Sequence, residues 1–140
     1  MKKLMFIMAL AIGLVADISL DVCQVTKVAK VLALKCKTVI LATGQTDIVT
    51  DGKRVTYVKN GTQQLACVTG TGCMLGALCS AFMTSAKPMD ATISACCYFG
   101  ICGELAKTDK GNGSFMVNLI DRISTLNKEE ISKYMNMEEK

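Results

Sequence analysis

The chain has 140 residues, of which 51% are hydrophobic and 20% are charged, and its net charge is +4. This length and apolar content are typical of one globular domain, and the composition does not indicate disorder. The absence of histidine excludes a histidine-ligated zinc site, a Ser-His-Asp triad and a Cys-His dyad, and the scattered lysines and arginines give little support to nucleic acid binding.

The amino-terminal residues resemble a signal peptide in outline. The charged start "MKK" precedes an apolar run from Leu4 to Val15, and the chain has an even number of cysteines, eight. A secreted disulfide protein is therefore one interpretation. Against it, Leu14 occupies the place where a cleavage site needs a small residue. Most cysteines also lie in apolar, helix-patterned segments, where a free cysteine behaves as a small hydrophobe. The run is too short to span a bilayer, so we expect no membrane segment.

The first half of the chain predicts one helix and several strands. Residues 21–36 carry apolar side chains at helical spacing. The continuous β-branched run "TVILAT" at 38–43 predicts a buried strand of a parallel sheet. Residues 47–59 alternate around the dipeptide "DG" and predict a hairpin. The segment "QLACV" at 64–68 predicts a short further strand.

The second half predicts helices. Residues 74–86 form the first, which stops at Pro88, and residues 90–107 form a second that is rich in Ala and Cys. Ser114 is the candidate N-cap of a third helix over 115–126, and a charged helix or tail follows. This order predicts an α/β fold with a mainly parallel sheet. Because the predicted sheet has few strands for so many helices, the pattern also indicates an incomplete fold.

The turn between these halves is the strongest chemical signal in the sequence. The motif "VTGTGC" places Gly70, Thr71 and Gly72 directly before Cys73. Two glycines permit a tight turn whose N–H groups point the same way, and together with the free N–H groups of the following helix they form an anion cradle. Such a cradle suits the oxygens of a migrating phosphoryl group. A thiol in the first helical turn has its thiolate stabilised by the same groups and can accept a proton. The alternative is an ordinary glycine turn beside an inert cysteine, because short glycine motifs often occur without a function.

Longer stretches around this turn resemble a known family. The strand ending in Thr43, the hairpin "VTDG", the turn "VTGTGC", an Ala-rich helix ending "GICGELA" and the segment "GNGSF" occur between about Val25 and Arg122. In order and spacing they resemble the hydroxyethylthiazole kinase family of the ribokinase-like group. The resemblance implies a cytoplasmic enzyme of thiamine biosynthesis that uses ATP and Mg²⁺. Its reaction would transfer the γ-phosphate of ATP to the primary alcohol of 4-methyl-5-(2-hydroxyethyl)thiazole.

The resemblance also implies roles for particular residues. Thr43 would contact ATP, although an ordinary buried threonine is the alternative. Gly70 would let the thiazole alcohol approach, and Gly70, Thr71 and Gly72 would form the anion hole. Cys73 would act as the catalytic base, because it stands where the wider ribokinase-like group usually has an aspartate. No metal ligand is identified among the matched residues. We expect all eight cysteines to be reduced.

The same resemblance predicts that the chain is incomplete. The motifs belong to the C-terminal half of the family's kinase domain, so residues 1–140 are expected to form one partial domain of a three-layer ribokinase-like fold. The N-terminal half supplies sheet strands, most of the thiazole pocket, an arginine on the ATP phosphates and acidic residues near magnesium. The segment "FIMALAIGLVAD" resembles the end of that half.

Two consequences follow for partners. The complete enzyme is expected to be a homotrimer, and this chain is expected to need an N-terminal half encoded elsewhere, such as in a neighbouring reading frame. An inactive remnant or a partner-binding fragment without catalysis is the alternative. A small departure from the family pattern is Asn112, where we expect proline, in a loop expected to be remote from the chemistry.

Overall fold

The structure is a computed structural model that describes residues 21–140. The apolar run from Leu4 to Val15 and the segment "FIMALAIGLVAD" therefore lie wholly outside the described residues. In chain order the described elements are α1 (Val22–Cys36), β1 (Ile40–Ala42), β2 (Asp47–Thr50), β3 (Val55–Val58), a 3-10 helix (Gln63–Cys67), α2 (Thr71–Phe82), α3 (Pro88–Leu105), α4 (Asn112–Thr125), α5 (Lys128–Tyr134) and β4 (Met137–Glu139).

The described sheet runs in the order β1-β2-β3-β4, and every neighbouring pair is antiparallel. The prediction of a mainly parallel sheet was wrong. The run at 38–43 is apolar because β1 is covered on both faces. Ile40 packs with Ala29 and Ala33 of α1, whereas Leu41 belongs to the larger core on the opposite face. Burial on two faces produces a continuous apolar run in a strand, whichever direction the neighbouring strand takes.

The predicted hairpin at 47–59 is confirmed. β2 and β3 pair from Asp47 opposite Val58 to Thr50 opposite Val55. At the turn, the Asp51 carboxylate accepts hydrogen bonds of 2.9 Å from the N–H groups of the next turn residues, Lys53 and Arg54. Gly52 has a φ of 93°, which favours glycine at this position of the turn.

The main core lies between the sheet and α3. Twelve residues of α3 are buried, because the helix packs against β2 and β3 on one side and against α2, α4 and α5 on the others. On the other face of the sheet, α1 buries Thr26, whose Oγ1 lies 3.2 Å from the hydroxyl of Tyr57 on β3. The result is a sheet with α1 on one face and the remaining helices on the other. None of the helices in the described part of the chain has the length and hydropathy needed to cross a membrane.

Several predicted boundaries are corrected. Residues 64–68, predicted as a strand, form most of a 3-10 helix that ends at Cys67. α2 begins at Thr71 rather than 74 and ends at Phe82. Pro88 does not stop α2, which has already ended at Phe82. It is the first residue of α3, where a missing N–H costs nothing. The predicted cap Ser114 lies inside α4, whose N-cap is Gly111 with a φ of 109°.

The charged end of the chain is ordered by local and long-range contacts. Asn127 caps α5 through a capping box with Glu130, in which each side chain binds the other residue's backbone N–H. β4 then pairs with β3. Its Glu139 contacts Arg54 at 2.7 Å, and its Glu138 contacts Lys59 at 3.1 Å. The predicted helix or tail is thus a helix followed by an edge strand.

Candidate active site

α2 begins at a glycine with left-handed backbone geometry. Gly70 is the N-cap, with φ 98° and ψ −11°, and its carbonyl accepts the first helical hydrogen bond from Met74 at 3.0 Å. No side chain caps the helix, so the N–H groups of Thr71, Gly72 and Cys73 have no partner within it. These groups lie at the positive end of the helix dipole. We refer to residues 70–73 as the α2 start.

The hydroxyl of Thr71 fixes the α2 start to the preceding segment. Its Oγ1 lies 2.9 Å from the carbonyl oxygen of Leu65 and 3.2 Å from that of Val68, and it donates to this pair. The hydroxyl therefore turns into the protein rather than toward a ligand. The backbone N–H of Thr71 is therefore the group of this residue that remains available to an anion, and its place in an anion hole stays a prediction.

Two further contacts support the segment that leads into the α2 start. The Gln64 amide donates to the carbonyl of Thr108 at 2.7 Å and accepts from the Thr108 N–H at 3.2 Å. The Asn112 side chain donates to the carbonyl of Cys67 at 3.3 Å. The loop around Asn112, expected to be remote, thus contacts the chain shortly before Gly70. A sequence pattern could not show this, because these pairs are distant along the chain.

Cys73 differs from the buried thiols in its surroundings. Its side chain is exposed, whereas Cys79, Cys96, Cys97 and Cys102 are buried. Burial raises the pKa of Cys79 and of Cys97 to about 11 and that of Cys102 to about 12, and it also raises the pKa of Cys96. These thiols stay protonated at neutral pH. Cys73 is the thiol that an external group can reach at the α2 start.

Thr43 lies in the turn between β1 and β2, where it is half-buried. The turn is closed by Asp47, whose Oδ1 accepts a hydrogen bond of 3.0 Å from the N–H of Gly44. Burial raises the pKa of the Asp47 carboxyl to about 6, although the bond from Gly44 opposes the rise. The sequence analysis did not identify Asp47. The signal that could have found it is weak: an aspartate stands three residues after Gly44, which leaves β1, and its side chain bonds back to that glycine.

The described contacts bring the two predicted parts of the site to one core but do not join them directly. Leu41 and Val49, which flank the Thr43 turn, pack in the same core as Leu75 and Cys79 of α2. Within residues 21–140, no hydrogen bond joins Thr43 to the α2 start. The groups that the resemblance assigns to phosphate binding therefore lie on two separate turns that pack against one core.

A magnesium site does not fit the described residues alone. No group of three or more His, Cys, Asp or Glu side chains within residues 21–140 is arranged to hold a metal ion. An uncapped helix start that offers N–H groups does fit a phosphate group. The described part of the chain thus has donors suited to a phosphate but not the carboxylates that Mg²⁺ prefers.

Comparison with known proteins identifies the family. The model of the hydroxyethylthiazole kinase family matches residues 12–129. The chain belongs to the hydroxyethylthiazole kinase family. Hydroxyethylthiazole kinase from Methanosarcina mazei is 42% identical over 116 residues, which cover 81% of this chain and 44% of that protein. The enzyme of the same name from Thermoanaerobacter pseudethanolicus is 42% identical over 119 residues, which cover 82% of this chain and 45% of that protein.

A solved member of the family has the same fold. The structure of a hydroxyethylthiazole kinase protein from Pyrococcus horikoshii OT3 superposes with a TM-score of 0.81 at 39% sequence identity, covering 84% of this chain and 46% of that one. The α/β fold is therefore that of the family. The chain spans less than half the length of these curated relatives, so what the complete kinase does is treated below as a proposal.

Proposed function

We propose that this chain provides the phosphate-binding half of a hydroxyethylthiazole kinase. The reaction would transfer the γ-phosphoryl group of ATP to the hydroxyl of 4-methyl-5-(2-hydroxyethyl)thiazole, a step of thiamine biosynthesis. The observation that carries the proposal is the α2 start. In a chain of this family, an uncapped helix begins at a glycine with a φ of 98° and exposes a thiol in its first turn.

The geometry of the α2 start suits phosphoryl transfer. The N–H groups of Thr71, Gly72 and Cys73 would hold the oxygens of the migrating group, where fixed donors stabilise charge without reorganisation. A Cβ built at Gly70 meets no protein atom within 4 Å, so open space above this residue is available to the substrate alcohol. Cys73, next to that space, would accept the hydroxyl proton.

The rest of the site would come from a segment outside the described residues. Such a segment would supply the arginine and the acidic residues for Mg²⁺, since the described part of the chain has no cluster suited to a metal. We propose that the two segments together form a ribokinase-like domain of a cytoplasmic homotrimer, with residues 1–140 as its C-terminal part. The N-terminal part could be encoded separately.

The test compares this chain with a completed version of it. This chain matches 44% of the Methanosarcina mazei kinase. In the completed version, called the fusion enzyme, the part of that kinase expected to precede the matched segment is joined to the N-terminus of residues 1–140. Both proteins are assayed with ATP, Mg²⁺ and hydroxyethylthiazole, and the phosphorylated thiazole is quantified by mass spectrometry. We expect turnover by the fusion enzyme and none by the isolated chain.

Each outcome has a distinct meaning. A fusion enzyme that folds, as shown by a cooperative thermal transition, but gives no product contradicts the proposed function and favours a non-catalytic remnant or partner-binding fragment. Robust turnover by the isolated chain supports the kinase activity but contradicts the requirement for a second segment. A Mg²⁺-free assay of the fusion enzyme serves as the control for metal dependence.

A further inference from the structure

We propose that Asp47 is a positioning residue for ATP binding: its carboxylate holds the Gly44 N–H and thereby directs the Thr43 side chain toward the nucleotide phosphates. The inference rests on the proposed function, in which Thr43 contacts ATP. It assigns a role to a partly buried acidic side chain that the phosphoryl-transfer chemistry at the α2 start does not use.

The first support is the geometry of the turn. β1 ends at Ala42 and β2 begins at Asp47, so the side chain of the first β2 residue reaches back across the turn to bind Gly44 at 3.0 Å. The Gly44 N–H belongs to the same planar peptide unit as the carbonyl of Thr43. Fixing the direction of that N–H restrains the backbone on the carboxyl side of Thr43. Because β1 holds Ala42 on the amino side, the two restraints together limit the direction in which the Thr43 side chain leaves the turn.

The second support is the surroundings of the carboxylate. By strand alternation, Asp47 lies on the same face of β2 as Val49, which belongs to the main core. The titratable groups that influence it or are influenced by it are the thiols of Cys79 from α2 and of Cys96 and Cys97 from α3. All of these are neutral at physiological pH because their pKa values are raised. In the described part of the chain, Asp47 forms no ion pair with a lysine or arginine.

The third support is the partial desolvation of this carboxylate, which lies at the half-buried start of β2. Burial raises its pKa in the folded state to about 6, above the ordinary value of 3.8. The folded state therefore gains most from Asp47 when the carboxyl is protonated below pH 3.8, and this gain is lost as the pH rises through 6. A side chain that served stability alone would work better as an uncharged amide. Stability sacrificed in this way is typical of functional sites.

The experiment replaces Asp47 by asparagine in the fusion enzyme. Asp47→Asn keeps the shape and an oxygen acceptor for Gly44 but removes the charge, and a charge-assisted bond is about twice as strong as a neutral one. At pH 7.5 we expect the KM for ATP to rise about 5-fold, with kcat and the KM for the thiazole alcohol unchanged. The same substitution should not lower the Tm and is expected to raise it slightly, because a partly desolvated charge is removed.

The pH profile supplies a second readout. The ratio of the variant's ATP KM to the parent's should fall toward 1 as the pH is lowered from 7.5 to 5, because the parent carboxylate then becomes protonated. Because the titration of ATP itself changes both KM values by the same factor, it cancels in the ratio. In a Thr43→Ala background, Asp47→Asn should raise the ATP KM no further, because residues that act as one unit are not additive.

The matched control is Asp51→Asn at the other end of β2. Asp51 also accepts hydrogen bonds from backbone N–H groups in a turn. Burial opposes ionisation of its carboxyl, but the hydrogen bonds from Arg54 and Lys53 keep its pKa below the ordinary value. This control should leave the ATP KM unchanged and should not raise the Tm. An unchanged ATP KM in Asp47→Asn, or a rise accompanied by a lower Tm, overturns the positioning role. If the parent fusion enzyme has no turnover, the proposed function fails and the inference falls with it.

Discussion

At the residue scale, Cys73 is set apart by its position rather than by its residue type. Four cysteines are exposed and four are buried, but Cys73 lies in the first turn of a helix that no side chain caps. Its neighbour in the motif, Gly70, is a poor residue for testing the site. A side chain at a φ of 98° is strained even in open space, so a loss of activity on substitution would mix catalysis with stability.

Substitution of Cys73 tests the proposed base directly. In the fusion enzyme, Cys73→Ala is expected to lower kcat by about 10²-fold with little change in the KM for ATP, because proton removal contributes modestly when the transition state is loose. Cys73→Asp should retain or raise activity. Aspartate is ionised at neutral pH, and a negative charge at a helix N-terminus gains about 0.3–1 kcal/mol. The measurement is kcat with thiazole alcohol saturating.

The two variants control for one another. If Cys73→Ala is as fast as the parent, the thiol only occupies space. If Cys73→Asp is inactive while the alanine variant is active, the residue does not stand in the base position. Cys67, exposed as well but located before the turn, provides an unrelated site for a Cys→Ala control.

At the element scale, close packing of α3 on the end of β3 holds the fold together. A Cβ built at Gly100 lies 2.6 Å from the backbone oxygen of Asn60. Asn60 itself is buried, and its side chain joins three parts of the chain. It donates to the Tyr134 carbonyl at 2.8 Å and to Glu104 at 3.2 Å, and it accepts from the Asn136 N–H at 2.8 Å. A displacement of α3 would therefore also disturb α5 and β4.

Gly100→Ala is expected to destabilise the chain by about 3 kcal/mol, because the backbone at Asn60, just after β3, cannot yield to an added methyl group as a flexible side chain can. Gly113→Ala is the matched control on α4, where the added Cβ meets no atom within 4 Å. It should be neutral or about 0.5–1 kcal/mol stabilising. Urea denaturation of both variants measures the free energies of unfolding, and equal values for the two variants would contradict the close contact.

At the scale of the whole molecule, the cysteines divide into an outer and an inner set. Cys23, Cys36, Cys67 and Cys73 are exposed, whereas the inner four lie on α2 and α3 in the main core. The nucleophile in thiol chemistry is the thiolate. Burial raises the pKa values of the inner thiols, so they are both shielded and protonated.

Labelling with a thiol reagent at pH 7.5 is expected to show two phases in the native chain. The exposed thiols react first, and the buried ones react only as the protein unfolds. After denaturation without reductant, alkylation and mass spectrometry should find all eight cysteines labelled once. A disulfide in the native protein would contradict this prediction and would revive the interpretation of a secreted protein.

The sequence predicted local features well, because each depended on neighbouring residues. The "DG" hairpin, α1, the helix after "VTGTGC" and the turn-forming role of Gly70 follow from side-chain spacing and from the backbone freedom of glycine. The motif order was also enough to indicate the family that the comparisons then showed. Helix boundaries were less accurate. Pro88, predicted as a stop, is the first residue of α3, and Gly111 rather than Ser114 is the N-cap of α4.

What the sequence could not determine was decided by contacts between distant segments. The direction of the strands did not follow from the apolar run at 38–43, because burial by helices on both faces gives the same run in parallel and antiparallel sheets. β4 forms from a charged segment because β3 offers it an open edge. Asp47 has a raised pKa only because the tertiary fold brings α2 and α3 over its face of β2, and desolvation depends on what surrounds a group rather than on its neighbours along the chain.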